Sequence, residues 1–264
     1  MIIVDTHCHV SPYWYEPLEA LLFHMDRSGV EKATLVQYMG QYNNDYQADC
    51  VRRYPGRLAS AVLVDWTKPD ALATLENLAG QGAAGLRLRA PSRSPGDDPL
   101  AIWRKAEQLG LPVTCGGTAE LFADDAFVEL IQAVPNLPII IEHLGSVNKP
   151  DGEAAPFEIR NKVFALSRHP NTYIKIHGLG EFSPRNETIT EPFPFEGRVP
   201  PLLDLAYEAF GPERMLWGSD YPPVSAREGY YNSLHFTLDY FKDKPAAERE
   251  MIFGGTALKL YRFD

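Results

Sequence analysis

The sequence predicts an α/β fold, a (β/α)8 TIM barrel formed by one domain over residues 1–264. Three observations lead to this prediction. Short apolar runs alternate with helical patterns at a roughly constant spacing along the chain. Polar residues follow nearly every predicted strand, which is where a barrel places its chemistry. No predicted strand is followed by the GxGxxG loop that marks a dinucleotide-binding doubly wound sheet, the main competing fold.

The predicted strands are short runs of aliphatic and β-branched residues. They span 2–9, 33–36, 58–64, 83–88, 111–115, 138–141, 172–176 and 214–217. The segments between and after them show apolar residues at helical spacing. These predicted helices cover 16–27, a segment ending at 53, then 69–79, 99–109, 124–134, 157–168, 201–210, 226–240 and 246–260. Because right-handed crossovers place every helix outside the sheet, eight such units predict a closed parallel barrel.

Composition narrows the possible partners. The chain is 45% hydrophobic and 23% charged, with a net charge of −10. It has no Lys/Arg cluster and no interleaving of basic with aromatic residues, so we expect no nucleic-acid partner. No apolar run approaches the roughly 18 residues of a membrane span, and no basic leader precedes the first strand, which predicts no membrane partner and a cytoplasmic location. The three cysteines are far apart in sequence and are expected to be reduced thiols.

The first strand ends at His7 and His9. Side chains alternate along a strand, so these two imidazoles point to one side while Cys8 points to the other. Both histidines can therefore reach one point beyond the strand end. Two residues in this pattern can clamp a metal ion or a substrate, although the pattern alone also occurs without any function.

Further polar residues follow the other strands. They are Gln37, Asp65, Arg87, Arg89, Cys115, His143, His177 and Asp220. The first and last strands of a closed barrel are neighbours, so we expect Asp220 beside the His7/His9 pair. Two imidazoles and one carboxylate can hold a divalent metal with open positions, or can hold and deprotonate a water without one. Both arrangements predict a hydrolytic site.

Six motifs, spread over nearly the whole chain, resemble the amidohydrolase-related (amidohydrolase 2) family. They are Asp5-Thr6-His7-Cys8-His9, Gly85-Leu86-Arg87, Ile141-Glu142-His143-Leu144-Gly145, Ile174-Lys175-Ile176-His177-Gly178, Trp217-Gly218-Ser219-Asp220-Tyr221-Pro222 and Phe253-Gly254-Gly255-Thr256-Ala257. The motifs on strands four and six are most similar to the branch holding 2-pyrone-4,6-dicarboxylate lactonase and sugar-acid lactonases. This resemblance implies an amidohydrolase-like barrel.

The resemblance also implies roles for single residues. His7, His9 and Asp220 would be metal ligands; in metal-free members the two histidines would instead polarise a carbonyl. Asp220 would be the base that activates water, His143 would hydrogen-bond substrate or water, and Arg87 would grip a substrate carboxylate or the carbonyl. The predicted substrate-binding residues are Gln37, Arg89 and His177.

Strand five departs from the family's metal-dependent decarboxylases, which carry a third histidine where this chain has Cys115. We expect one divalent metal, zinc in the first instance, and the missing strand-five histidine leaves a metal-free site as the alternative. Simpler roles are also open: Cys115 as a small buried residue, His143 as a structural histidine, Asp220 as a turn residue, and one of Arg87 and Arg89 as the partner of a barrel carboxylate such as Asp65.

The leading hypothesis is a hydrolase that opens a small organic lactone or cyclic ester with water activated by Asp220. The alternative is a metal-dependent, non-oxidative decarboxylase of a small aromatic or enoic acid. A third hypothesis is a catalytically silent barrel that binds a partner. We expect a small-molecule substrate and a homo-oligomer. The proline-rich segment 181–199 lacks a helical pattern, which is typical of a lid or substrate loop.

Overall fold

The computed structural model describes residues 1–148, 156–183, 185, 187–188, 195 and 199–264. Eight parallel strands form one sheet in the order of the chain, as the strand and helix pattern predicts. The strands are β1 (Val4–Cys8), β2 (Lys32–Val36), β3 (Leu58–Val62), β4 (Gly85–Arg89), β5 (Val113–Gly116), β6 (Ile139–Ile141), β7 (Thr172–Ile176) and β8 (Met215–Trp217). Much of the predicted lid segment 181–199 lies outside the described residues.

The sheet closes where β1 meets β8, at the end of the barrel at which both strands finish. The amide of Asp220 donates to the carbonyl of His7 (2.8 Å), and the amide of His9 donates to the carbonyl of Tyr221 (2.8 Å). The Thr6 hydroxyl donates to the carbonyl of Trp217 (2.8 Å). These bonds bring residues from opposite ends of the chain together and confirm the predicted (β/α)8 TIM barrel.

The helices surround the strands and cover their outer surface. They are α1 (Leu18–Ser28), α2 (Asp45–Arg53), α3 (Ala71–Gly80), α4 (Ala101–Leu109), α5 (Ala119–Phe122), α6 (Asp125–Ala133), α7 (Glu158–Phe164), α8 (Leu202–Phe210), α9 (Tyr230–Tyr240), α10 (Ala246–Glu250) and α11 (Thr256–Leu260). In α1, Leu18, Leu21, Leu22 and Met25 are buried. This stripe recurs at three- and four-residue spacing, so the hydrophobic effect holds the helix against the sheet.

Most element ends differ from the sequence prediction by a few residues. β1 begins at Val4, where its pairing with β2 starts, and Ile2 before it is 39% exposed. The helix predicted to begin at residue 226 begins only at Tyr230, after Gly229 with its positive φ of 82°. The predicted helix 246–260 contains a π-helical turn, Met251–Gly255. At that turn a Cβ on Gly254 would lie 2.0 Å from the carbonyl oxygen of Ile2, so only glycine permits this contact with the start of β1.

Among the described residues, none of the helices combines the length and the apolar character that crossing a lipid bilayer requires.

Candidate active site at the barrel mouth

His7 lies at the centre of a group of imidazoles at the mouth of the barrel. Its ring centroid is 5.0 Å from that of His9 and 5.1 Å from those of His143 and His177. His7 is fully buried, and burial holds its pKa well below the ordinary value, with the nearby cations adding to the shift. Its Nε2 is buried and has no hydrogen-bond partner among the described residues. This atom is therefore free to contact a ligand.

Asp220 faces His7 across the junction of β8 with β1. Its Oδ1 lies 3.9 Å from Nε2 of His7. The approach requires glycine at position 218, because a Cβ there would lie 2.6 Å from Cβ of His7. Asp220 itself has a φ of 59°, in the left-handed region that non-glycine residues rarely occupy. Strained backbone of this kind is typical of functional positions.

The environment of Asp220 suits a base that works near neutral pH. Burial raises the pKa of its carboxyl group to about 6, against the opposing influence of His143 and Arg227. The guanidinium of Arg227 donates to Oδ2 of Asp220 (3.0 Å). A carboxylate with this pKa is ionised at pH 7 and basic enough to accept a proton from water in a transition state.

His143 is oriented by a carboxylate that follows β7. Its Nδ1 lies 2.8 Å from Oε1 of Glu181. Burial alone would lower the pKa of His143, but the carboxylates of Glu181, Asp220 and Glu142 together raise it. His143 has a φ of 52° and begins the turn after β6. Of the four imidazoles, it is the one best placed to carry a positive charge.

His177 and His9 are held by backbone carbonyls. Nδ1 of His177 is 2.8 Å from the carbonyl oxygen of Gly218, and Nδ1 of His9 is 2.7 Å from that of Val36. A carbonyl oxygen only accepts, so Nδ1 carries the hydrogen in both rings and Nε2 is left bare. Burial lowers the pKa of His9 to about 3 and that of His177 well below the ordinary value. Both are therefore neutral at pH 7.

The guanidinium of Arg87 donates its hydrogen bonds to other groups of the protein. Nε and Nη2 donate to the two carboxylate oxygens of Glu142 (3.0 and 2.9 Å), and Nη1 donates to the carbonyl of Gln37 (2.9 Å). The alternative in which an arginine pairs with a barrel carboxylate is thus seen for Arg87, but with Glu142 in place of Asp65. Arg87 holds the pKa of Glu142 at about 2, although burial alone would raise it.

The other predicted site residues, Gln37, Arg89 and Cys115, differ in how far they are buried. Gln37 is buried, and its side-chain amide bonds to the backbone of Asn43 and of Tyr38. Arg89 ends β4 and is exposed. Cys115 is fully buried and packs in the hydrophobic core, and burial raises the pKa of its thiol well above the ordinary value. Cys115 is thus found as the small buried residue of the simpler alternative.

Four charged residues at the mouth were not assigned a role from the sequence: Lys175, Glu142, Glu181 and Arg227. Lys175 is the fourth of the five residues of β7 and is fully buried, and burial lowers its pKa to about 8. The sequence does contain a signal for Lys175, since it lies between two isoleucines in the predicted strand Ile174-Lys175-Ile176. A strand of a parallel barrel is buried on both faces, so a lysine within it is expected to be buried. Glu181 and Arg227 lie in irregular connections, where no periodic pattern indicates them.

The donor atoms fit a divalent metal. One ligand atom from each of His7, His143 and Asp220 lies within 4.8 Å of the others, and the same holds for a second set of His143, His177 and Glu181. Two imidazoles and a carboxylate are a common set for catalytic zinc. The unpartnered Nε2 of His7 is the atom that a metal would engage in the first set. Among the described residues, His9 belongs to neither set, so the predicted ligand group His7, His9 and Asp220 is not the one that the structure brings closest together.

The family comparison covers almost the whole chain. A family model described as amidohydrolase matches residues 4–263. The L-fucono-1,5-lactonase of Burkholderia ambifaria is 27% identical over 94% of this chain and 85% of its own length. The 4-sulfomuconolactone hydrolase of Hydrogenophaga intermedia is 26% identical over 86% of this chain and 76% of its own length.

Solved structures show the same fold. A putative 2-pyrone-4,6-dicarboxylic acid hydrolase from Pseudomonas putida superposes with a TM-score of 0.77 at 20% identity, over 100% of this chain and 98% of that one. An amidohydrolase from Burkholderia multivorans, solved with bound zinc, gives a TM-score of 0.77 at 18% identity over the full length of both chains. These structures confirm the fold, and the family model over residues 4–263 confirms the amidohydrolase family that the sequence motifs indicate.

Proposed function

Because the chain belongs to the amidohydrolase family, with a match over residues 4–263, we propose that this hydrolase opens a small organic lactone. The observation that carries the proposal is the pair of Asp220 and His7 at the mouth, with carboxylate and imidazole 3.9 Å apart and the carboxyl pKa at about 6. Two relatives that match most of the chain are lactone hydrolases, which supports this substrate class over the aromatic or enoic acid of a decarboxylase.

In the proposed reaction, Asp220 removes a proton from a water molecule as the water oxygen attacks the ester carbonyl carbon. The carbonyl oxygen becomes an oxyanion next to His7 and His143. His143, whose pKa is raised by Glu181, stabilises the negative charge. The bond between the acyl carbon and the ring oxygen then breaks, and Asp220 returns its proton to the leaving alkoxide. The product is an open-chain hydroxy acid.

A divalent metal fits the same residues: His7, His143 and Asp220 would hold it, and it would supply Lewis-acid polarisation of the ester carbonyl. For substrate contacts, we propose Arg89 and His177. Arg89 is the exposed arginine at the end of β4, and Nε2 of His177 has no partner among the described residues. We assign Arg87 and Gln37 to the wall of the site, since their polar groups already bond within the protein.

A lactone panel tests the proposal directly. Ring opening releases one acid per turnover, so a pH-stat follows it without a chromophore. The panel should include a neutral sugar lactone, such as L-fucono-1,5-lactone, and an anionic one, such as 4-sulfomuconolactone. We expect saturable hydrolysis of at least one member and no release of CO2 from small aromatic acids. If the protein instead released CO2 from these acids and hydrolysed no lactone of the panel, it would be a decarboxylase.

The acid limb of the pH profile should depend on Arg227. The proposed base must be ionised, so activity is present above the pKa of Asp220 and is lost as the pH falls through about 6. The Arg227 guanidinium favours the carboxylate, and its removal in Arg227→Gln should move this limb to higher pH by about one unit. The measurement is kcat/KM between pH 4 and pH 9.

Arg52→Gln is the matched control, because Arg52 forms an exposed surface pair with Asp49. Its acid limb should coincide with that of the unmodified protein. An unshifted limb in Arg227→Gln would mean that a group other than Asp220 sets the pH dependence.

A further inference from the structure

Lys175 brings a positive charge into the interior of the barrel, directly behind His7. Its Nζ donates to the carbonyl oxygen of Thr6 (2.7 Å) and to the hydroxyl of Thr114 (2.8 Å), and lies 3.4 Å from Nδ1 of His7. The Thr114 hydroxyl in turn lies 3.2 Å from Oε1 of Glu142. This chain of hydrogen bonds runs from the ammonium to a carboxylate, which favours the charged form of the lysine.

An ammonium group has three donors and no acceptor. Nδ1 of His7 must therefore accept from Lys175, and in the neutral ring the hydrogen then resides on Nε2. The other imidazoles have the opposite arrangement. Nδ1 of His9 and of His177 faces a carbonyl oxygen, and Nδ1 of His143 faces Glu181. His7 is thus the ring whose neutral form carries its hydrogen on Nε2, 3.9 Å from Oδ1 of Asp220.

We propose that Lys175 is a positioning residue that holds His7 of the metal-free protein in the Nε2–H tautomer. His7 then offers a hydrogen-bond donor to the reacting oxygen, and a metal must displace this hydrogen before it can bind Nε2. The role of that donor rests on the proposed lactone hydrolysis. The tautomer itself does not, because it can be measured without any substrate. Lys175 thereby sets the balance between hydrogen bonding and metal binding at this centre.

Glu142 can reverse the tautomer of His7 when Lys175 is replaced. Oε1 of Glu142 is 3.9 Å from Nδ1 of His7. In a Lys175→Met variant this carboxylate is the nearest charged acceptor for an Nδ1–H. Nε2 would then be bare, and His7 could bind a metal with His143 and Asp220 without first losing a hydrogen from that atom. A carboxylate behind a metal-bound histidine typically changes metal affinity by about 10- to 100-fold.

The first test reads the tautomer in the unmodified protein. The protein is labelled with 15N-histidine and freed of metal, and the His7 signals are assigned by their loss in His7→Gln. We expect a protonated Nε2 and an unprotonated Nδ1 for His7, and the reverse for His9 and His177. A bare Nε2 on His7 overturns the proposal. This measurement uses no Lys175 variant, so it does not depend on whether such a variant folds.

The second test titrates zinc alone into the metal-free protein and its variants by calorimetry. Lys175→Met should bind zinc at least about 10-fold more tightly than the unmodified protein. Lys175→Arg keeps a cationic donor and should bind as weakly as the unmodified protein. The gain should disappear in the double variant Lys175→Met/His7→Gln. Unchanged or weaker zinc binding by folded Lys175→Met would contradict the proposal, whether or not any lactone is hydrolysed.

Discussion

Replacement of Asp220 by Asn should lower kcat for lactone hydrolysis by about 10²- to 10⁴-fold, the usual contribution of a general base. An amide cannot accept the proton of the attacking water. The change preserves local geometry, because Asn tolerates the left-handed backbone that Asp220 adopts at φ 59°. A structural role alone for Asp220 therefore predicts little change in kcat, and a catalytic role predicts a large one.

The same variant should fold at least as stably as the unmodified protein. The native pKa of Asp220 is raised from 3.8 to about 6, so the ionised carboxylate costs about 3 kcal/mol of stability at pH 7, and this cost is relieved as the pH falls through 6. Asn carries no charge and avoids this cost. Thermal unfolding measures the effect, with Asp239→Asn at an exposed position as the control. If Asp220→Asn kept full activity, or did not fold, the assignment of Asp220 as the base would be wrong.

Replacement of Arg87 by Met should destabilise the protein by about 3–5 kcal/mol. Arg87 and Glu142 form a buried, bidentate ion pair in which the side chains are 10% and 3% exposed. Removal of the guanidinium leaves the carboxylate of Glu142 buried without its main partner, and desolvation of an unpaired charge is costly. Urea unfolding measures this change, and Arg87→Met/Glu142→Gln should recover part of the lost stability.

The matched control is Arg104→Met, which breaks the exposed pair with Asp98, where the side chains are 50% and 43% exposed. Exposed pairs contribute about 0–1 kcal/mol, so this variant should be nearly as stable as the unmodified protein. Equal stability of the two variants, together with a raised KM in Arg87→Met, would restore the sequence-based expectation that Arg87 grips the substrate.

The strands could be predicted closely because each buried run leaves a continuous apolar pattern. β7 was predicted at 172–176 and is found at Thr172–Ile176, and β6 differs from its prediction by one residue. Helix ends were less predictable. The start of α9 at Tyr230 depends on the turn that carries Arg227 against Asp220, and this turn has no periodic signature.

From the sequence, each predicted site residue could be assigned to a strand end, but its hydrogen-bond partners could not be predicted. Sequence order, with the rule that the first and last strands of a barrel are neighbours, brings Asp220 and His7 to one place. It does not decide which nitrogen of His7 is free, because that depends on Lys175, which is 168 residues away along the chain. It also does not give Arg87 its partner, because Glu142 reaches it from a different strand end.

The sequence by itself determined the barrel, the family and the strand ends at which His7, His143 and Asp220 lie, since hydrophobic periodicity, motifs and residue order encode them. Only the tertiary structure decided the partners of those residues: Glu181 behind His143, Glu142 beside Arg87 and Lys175 behind His7. The physical reason is that charge, tautomer and pKa are set within a few ångströms, by groups that come together only when the sheet closes.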